Sequence, residues 1–471
     1  MAIAVGGGLF YRRAAASRGI GKHPSRCAMA MMPTGAARFH ARFQGAGRSG
    51  GAPPARRDAR RAAAHEVAAV TAQTGGVPRM SDALLGEIAN LTEWPVAIAC
   101  TFEREFLAVP PEALVMTMET NQKFVPVFDA EGHLTEHFIG IANIASTDPS
   151  EIRKGYERVI RPRFADAKFF WDEDLKTPLA SHMGQLKNVT YQQALGSLWN
   201  KSVRVAELAR IIANRVGVDA GQATRAATLS KCDLLTRMVG EFPELQGVMG
   251  RYYATHHGEM PAVAEALDSF YQPRFGGDAI APGKVGQVLA VAERLDTLAG
   301  IFSVGMKPSG NKDPFALRRA ALGLARTLIE GKLEIDLRSS FLEALELLPD
   351  SALEAGLKPA KDGKKPALNA GQRRSILADE LYDFVLDRLR GYYADKGFAT
   401  SPFEAVLAVQ PGSLADFDRR LRAVAEFSKR PEAASLAANK ARVAHPVHRL
   451  AEEESFAQPP RRSAATRRPE P

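Results

Sequence analysis

Apolar residues recur every three or four positions through the middle of this 471-residue chain, and this spacing limits the possible folds more than any other feature. Residues at that spacing lie on one face of an α-helix. The clearest stripe comprises Leu195, Leu198, Trp199, Val203, Val205, Leu208, Ile211, Ile212 and Val216. Similar stripes run through residues 227–239, 285–298 and 315–328. The pattern predicts a helical domain, which we place at residues 176–345.

A different pattern precedes this domain. Short β-branched and aromatic runs at residues 96–102, 123–128 and 137–144 are separated by turn-forming residues, with a clear turn at 129–132. Such alternation predicts strands, two of them joined as a hairpin. We therefore expect an α/β region with a hairpin at residues 81–175, and an α+β fold class that is predominantly α.

Beyond the helical domain, residues 346–371 are rich in Lys, Gly and Pro and are predicted to be a linker. Helical spacing resumes afterwards, so residues 372–440 are predicted to be helical. The last segment, residues 441–471, has the composition of a disordered tail.

The positive charge of the chain is concentrated at its ends. Residues 1–80 hold 13 basic residues against Asp58 and Glu66, a net charge of +11, and residues 441–471 hold six Arg against four Glu, a net of +2. The whole chain carries +9, so residues 81–440 carry −4. We predict that residues 1–80 are an atypical, disordered basic leader, either a targeting peptide or an artefact of the gene model.

Several classes of protein are excluded by the sequence. No apolar run reaches the ~20 residues that span a bilayer, so we expect no membrane association and a cytoplasmic location. Cys27, Cys100 and Cys232 show no CxxC spacing, which excludes a zinc ribbon or a disulfide framework. A phosphate-binding GxxxxGK[ST] loop is also missing from the sequence. None of these patterns therefore supplies a metal ligand or a phosphate-binding loop in this chain.

Basic residues beside aromatic residues or helix starts occur in blocks around residues 157–171 and 310–319. Such combinations suit phosphates and stacked bases. The equally weighted alternative is that these cations bridge helices through carboxylates. The candidate nucleic-acid contacts are Arg161, Arg163, Lys312, Arg318 and Arg319.

Eight short motifs carry a resemblance to a known family. They are LTEWPV at residues 91–96, FLAVP at 106–110, RPRFADAKFF at 161–170, SKCDLL at 230–235, EFPELQGVMG at 241–250, YQPRF at 271–275, LDTLAGIF at 295–302 and KDPFALRRAAL at 312–322. Through them the chain resembles the beta subunit of the bacterial two-subunit glycyl-tRNA synthetase, nearly continuously from about Pro78 to Asn439.

The resemblance implies a separate alpha subunit that makes glycyl-adenylate from glycine and ATP, in an assembly of two alpha and two beta subunits. The implied task of this chain is to hold tRNA(Gly), with ATP and Mg²⁺ used by the assembled enzyme and no cofactor bound by this chain. The F-R-x-E motif that class II catalysis needs is broken here, because Phe102 is followed by Glu103, Arg104 and Glu105. The adenylate-forming site is therefore expected on the alpha subunit, and the resemblance implies no catalytic residue on this chain.

The resemblance also implies that the helical middle is a degenerate HD-type phosphohydrolase domain. A working HD site binds a divalent metal through a His-Asp pair, and no His-Asp dipeptide occurs in this chain. Cys232 and Asp233 stand at the position of the pair, and Asp296 stands at the position of the last ligand. Two alternatives to a tRNA-holding subunit stay open at this point: a metal-dependent phosphohydrolase and an assembly scaffold.

Both ends depart from the family pattern. Family members begin with a tRNA-binding α/β region that residues 1–80 do not resemble, and the match stops near residue 443. Residues 372–440 therefore correspond to the start of a helical anticodon-binding domain.

Overall fold

A computed structural model describes residues 2–5, 8–11, 54–356 and 369–433, with side chains from residue 59 onward. Helices dominate, so the predicted class, α+β with mostly α structure, is confirmed. The described residues divide into two compact units. The first comprises the residues up to Asp296 together with Pro308–Leu317, and the second comprises Thr297–Lys307 and the residues from Arg318 onward.

Eight strands occur among the described residues, and all of them lie in the first unit. They are β1 (Ala2–Val5), β2 (Gly8–Tyr11), β3 (Val77–Pro78), β4 (Val96–Thr101), β5 (Val125–Phe128), β6 (Leu134–Ala142), β7 (Thr190–Gln192) and β8 (Gly196–Ser197). The largest sheet is antiparallel with the order β3-β5-β6-β4. β5 and β6 form a hairpin in which Val125 pairs with Ile139 and Phe128 pairs with Leu134. The pairs β1–β2 and β7–β8 are small two-stranded sheets.

Helices cover both faces of the four-stranded sheet. On one face, α1 (Pro54–Thr71) and α2 (Asp82–Leu91) pack Val67 and Ile88 against Val125 and Ile139. On the other face lies α4 (Pro149–Asp174), which follows the short helix α3 (Pro111–Met116). Its Phe164 ring lies 4.8 Å from that of Phe102, edge to face. Successive strand residues point to opposite faces, so each strand contributes to both cores.

The helices of the rest of the first unit are short, apart from α5. They are α5 (Leu198–Val216), α6 (Ala220–Leu229), α7 (Arg237–Glu241), α8 (Val248–His256) and α9 (Pro261–Ser269). A capping box in which the Ser197 side chain accepts from the Asn200 amide starts α5, and Gly217, with φ of 68°, ends it. The long helix α10 (Lys284–Ser303) follows, and the division between the units falls inside it.

In its described residues the second unit consists of helices and the segments that connect them. It contains α11 (Leu317–Glu330) from Arg318 onward, then α12 (Leu337–Glu346), α13 (Asp350–Ala355), α14 (Ala370–Asp395), α15 (Thr400–Leu407) and α16 (Leu414–Phe427). Its core includes an aromatic group of Tyr393, Phe403 and Phe417, with ring centroids of Phe403 and Phe417 5.2 Å apart. In the described ranges, no helix combines the length and the apolarity needed to cross a membrane.

The predicted basic leader differs from the structure. Residues 54–80 are not disordered, because α1 and β3 lie there and α1 buries Ala63 and Val67 in the core of the sheet. Residues 2–5 and 8–11 also form paired strands. The rest of the predicted leader, and the predicted tail 441–471, lie outside the described residues.

The predicted linker at 346–371 is wrong in its first part. Residues 350–355 form α13, and its Ala352 and Leu353 are buried. Gly356 follows directly and approaches Ser303 so closely that a Cβ at this position would overlap the Ser303 carbonyl oxygen. Residues 357–368 lie outside the described residues. The predicted domain boundary at residue 345 also differs from the structural division, which lies after Asp296.

Candidate functional site

The first group of candidate residues lies on the outer face of α4. The inner face buries Ile160, Phe164 and Ala167, so the residues between them point outward. Arg161 and Arg163 are both exposed. Arg158, which the sequence analysis did not select, is exposed on the same helix. Its spacing of three residues before Arg161 is the signal that could have identified it.

The arginines of this face differ in what they bind. The Arg161 Nε donates to Glu103 Oε1 at 2.5 Å, so this guanidinium already bridges to a carboxylate. Arg158 and Arg163 make no ion pair or side-chain hydrogen bond within the described part of the chain. The carboxylate-bridging alternative therefore applies to Arg161, whereas Arg158 and Arg163 keep their donors available for an anionic ligand. We call Arg158, Arg161 and Arg163 the α4 arginines.

The other candidates lie in both units. Lys312 belongs to the first unit and is exposed in a turn that Ser309 closes through two backbone hydrogen bonds. Arg318 and Arg319 belong to the second unit, in the first turn of α11. Arg319 is exposed, whereas Arg318 is half-buried and has an interaction partner. Arg319 and Lys312 are therefore the more accessible members of this group.

Cys232 and Asp233 start a short 3₁₀ helix in the interior of the first unit. Burial raises the pKa of the Cys232 thiol to about 12, so this cysteine is not a reactive thiolate at neutral pH. Burial also raises the pKa of Asp233 to about 6, although its carboxylate accepts a hydrogen bond from the Gly247 amide at 2.5 Å. Gly247 has φ of 85°, a left-handed conformation that favours glycine. Asp233 thus fixes the loop that precedes α8.

Asp296 lies in α10 and is completely buried. The Lys201 Nζ lies 2.9 Å from its Oδ2, and the Arg204 Nε lies 2.6 Å from its Oδ1. Burial alone would raise the pKa of Asp296, but the two cations hold it below its ordinary value. Both oxygens of this carboxylate are therefore engaged by positive side chains of α5.

A second, half-buried anion and a third buried cation extend this arrangement. Glu293 Oε1 lies 3.4 Å from Lys201 Nζ and 3.3 Å from Lys231 Nζ. Lys231 also lies over the rings of Phe270 and Tyr271, at 4.7 Å and 4.8 Å from their centroids, and burial lowers its pKa. We call the whole group the buried charge cluster. Its members are Lys201, Arg204, Lys231, Glu293 and Asp296.

The buried charge cluster bears on the phosphohydrolase alternative. Three cations face two carboxylates here, and a divalent ion at Asp296 would meet the ammonium of Lys201 and the guanidinium of Arg204 at contact distance. Among the described residues, no three His, Cys, Asp or Glu side chains are grouped so that they could hold a metal. The geometry therefore favours an ion-paired interior over a metal centre.

Of the residues in this cluster, only Asp296 is among the candidates predicted from the sequence. Two pairs of charged residues, each three residues apart within an apolar stripe, could have identified the cluster. They are Lys201 and Arg204 in α5, and Glu293 and Asp296 in α10. Charged residues that repeat at helical spacing on an otherwise buried face must find partners inside.

Most of this chain is similar to a known protein family. A family model described as glycyl-tRNA synthetase beta subunit matches residues 53–408. The chain belongs to this family. The match includes α1 and begins before Pro78, so the expectation that residues 1–80 lack family resemblance is wrong for residues 53–80. The Ala-rich and Arg-rich composition of α1 concealed its buried positions Ala63, Val67 and Thr71.

Relatives named glycine–tRNA ligase beta subunit match most of this chain. The protein of Xanthomonas campestris pv. campestris strain 8004 is 56% identical over 387 residues, which are 82% of this chain and 53% of the relative. Those of Xylella fastidiosa strain M12 and Edwardsiella ictaluri strain 93-146 are 52% and 46% identical, again over 82% of this chain and over 55% and 54% of theirs. The chain thus spans about half the length of the curated relatives it matches.

Proposed function

We propose that this chain is a non-catalytic, tRNA-holding subunit of a cytoplasmic glycine–tRNA ligase. In this proposal it positions tRNA(Gly) for a separate alpha subunit, which forms glycyl-adenylate from glycine and ATP with Mg²⁺, in an assembly of two alpha and two beta subunits. The observation that carries the proposal is the family match over residues 53–408. The printed name of the relatives, glycine–tRNA ligase beta subunit, supports it.

The α4 arginines provide the local chemistry for holding RNA. Arg158 and Arg163 are exposed and have no partner in the described residues, and a guanidinium can bind a phosphate through two parallel hydrogen bonds. Exposed Lys312 and Arg319 offer further phosphate contacts. Positioning by such contacts affects rate, because a displacement of about 1 Å at the reacting end can cost on the order of a hundredfold.

The proposal is tested by reconstitution. We expect the chain mixed with its alpha partner, glycine, ATP and tRNA to charge the tRNA, while neither chain does so alone. No charging with an active alpha subunit would contradict the proposal for this chain.

The contribution of the α4 arginines is tested separately, by tRNA affinity at several salt concentrations. Replacing Arg163→Glu removes one phosphate contact, so affinity should fall and the log-log salt slope should decrease by about 0.9, by analogy with DNA. The control is Arg210→Glu, another exposed arginine, which lies on α5 and pairs with Glu207 at 2.6 Å. Equal effects of both changes would favour a scaffold whose tRNA contacts lie elsewhere.

A further inference from the structure

A cavity of about 740 Å³ opens in the first unit, away from the α4 arginines and the buried charge cluster. Its lining is mainly apolar and includes the buried side chains of Val109, Leu114, Phe128, Leu134 and Leu245. Pockets that bind small molecules have volumes of this size and a lining of this character, with a few polar groups at defined places. The polar groups of this cavity therefore indicate what it can bind.

One wall of the cavity is a π-helix. Residues Thr117–Gln122 continue α3 with this wider winding and end at Lys123, which has φ of 58°. The segment brings Glu119 and Thr120 to the cavity. π-helical turns are rare and occur frequently at functional sites, because the extra residue displaces side chains from their α-helical positions. Here the displaced side chain is a carboxylate facing an apolar cavity.

Glu119 differs from the other charged residues of the lining. It is half-buried, burial raises its pKa, and no residue in the described ranges donates a hydrogen bond or forms an ion pair with it. Glu112, by contrast, accepts from the Tyr252 hydroxyl at 2.9 Å and from Arg251 at 3.2 Å. A carboxylate that is partly removed from water without a partner gains most from a cation that enters with the ligand.

The remaining charges of the lining agree with a cationic ligand. Glu244 is exposed at the cavity and, in the part of the chain that is described, has no partner. His133 is bound to Asp129, at 3.3 Å. The guanidinium of Arg79 lies over the Phe128 ring, 3.9 Å from its centroid, where the ring face already balances part of its charge. The two unpaired carboxylates, Glu119 and Glu244, against one stacked arginine disfavour phosphate ligands and favour a cation.

We propose that this cavity binds a small organic amine, with its ammonium group at Glu119 and its aliphatic or aromatic body against Leu114 and Phe128. The site is distinct from the surface proposed to hold tRNA, and it requires no covalent step. A ligand of this class satisfies the unpaired carboxylate and removes apolar surface from water at the same time.

The test uses 4-phenylbutylamine and 4-phenylbutyrate, two probes of matched shape and opposite charge, titrated calorimetrically into the full chain. At about pH 8 the alkylamine is still protonated and carboxylates are ionised. We expect saturable binding of the amine, at least about tenfold tighter than that of the carboxylate. Absence of saturable amine binding, or equal binding of both probes, would overturn the proposal.

Two variants locate the ammonium group. Glu119→Gln keeps the shape of the side chain and should weaken amine binding about tenfold. Thr120→Lys, at an exposed position beside Glu119, supplies a competing ammonium and should weaken it similarly, so the test stands if the first variant does not fold. The control is Glu105→Gln. Glu105 is an exposed carboxylate on the 3₁₀ helix Arg104–Ala108 and does not line the cavity. Unchanged amine binding in a folded Glu119→Gln or Thr120→Lys variant would overturn the proposal.

Discussion

At the scale of single residues, the interior of the first unit is organised by charges whose surroundings shift their pKa in opposite directions. Asp296, held by Lys201 and Arg204, has a lowered pKa, whereas Asp233, held by backbone amides, has a raised one. Both are buried aspartates at positions where the resemblance implies metal ligands. The two aspartates differ because two cations, Lys201 and Arg204, contact the carboxylate of Asp296.

Replacing Asp296→Ala leaves the Lys201 ammonium and the Arg204 guanidinium buried without their main partner. We expect the free energy of unfolding to fall by about 3–5 kcal/mol, the cost of leaving buried charge uncompensated. Urea unfolding followed by tryptophan fluorescence measures this, because all three tryptophans, Trp94, Trp171 and Trp199, lie in the first unit. The control is Asp172→Ala, an exposed partner of Lys168, for which we expect less than about 0.5 kcal/mol. Equal effects would show that the buried pairs contribute no more than a surface pair.

Asp233 should make the free energy of unfolding depend on pH, and its raised pKa fixes the direction of that dependence. Its pKa in the folded chain, about 6, is above the unfolded value, so its contribution to stability is present below the unfolded pKa and is lost as pH rises through 6. Asp233→Asn removes this loss. The variant should therefore gain about 3 kcal/mol relative to the unmodified chain between about pH 4 and pH 7, as measured by urea unfolding at each pH. A difference between the two chains that does not vary with pH would contradict this explanation.

At the scale of secondary-structure elements, α1 shows how a helix that looks like part of a leader completes a core. Its Ala63 and Val67 meet Leu84 of α2 and Val127 of β5 on one face of the sheet. Without α1, this face would expose apolar side chains to water. The element therefore belongs to the folded region and not to the basic segment that precedes it.

Val67→Ala tests this role of α1. Removing two buried methyl groups should lower the free energy of unfolding by about 1–3 kcal/mol, since the surrounding sheet can close the gap only in part. Tryptophan fluorescence during urea unfolding again gives the measurement. His65→Ala, at an exposed position of the same helix, is the control and should change stability by less than about 0.5 kcal/mol. A fully tolerated Val67→Ala would place α1 outside the cooperative core.

The elements differ in how far the sequence predicts them. The β-branched and aromatic runs on either side of the turn at 129–132 suffice to predict the β5–β6 hairpin, and the apolar stripe suffices to predict α5. The described part of α1 has three buried residues, Ala63, Val67 and Thr71, among alanines and arginines, and only Val67 is a large apolar residue. This pattern is too weak to separate the helix from a disordered segment. The amine cavity depends on a π-helical turn, and hydrophobic periodicity does not reveal such a turn.

At the scale of the whole molecule, the described residues form two compact units, whereas the sequence predicts a longer series of domains. The division lies inside α10, where residues 288–292 and most of the following positions are buried on every side. A helix buried all round has no change of pattern that would mark a boundary. The predicted boundary at 345 followed a change in composition, whereas the structural division follows the packing of the helix.

Phe417→Ala tests the separate core of the second unit. Phe417 is fully buried among Tyr393 and Phe403, and its truncation should cost about 3–5 kcal/mol. We expect hydrogen exchange to accelerate in α14, α15 and α16, while the midpoint of the tryptophan fluorescence transition stays the same. Phe427→Ala, at an exposed site of the same helix, is the control. A large shift of the fluorescence midpoint would show that the two cores unfold together.

The buried charge cluster has a consequence for the conditions under which this protein can fold. A metal centre fills by mass action, so its occupancy depends on ion supply and is reversed by chelators. Lys201 and Arg204 are covalently part of the chain, and they therefore reach Asp296 in the same stoichiometry in every molecule. Neutralisation of this buried carboxylate is consequently independent of cellular metal content, and newly made chains obtain it from the folding reaction itself.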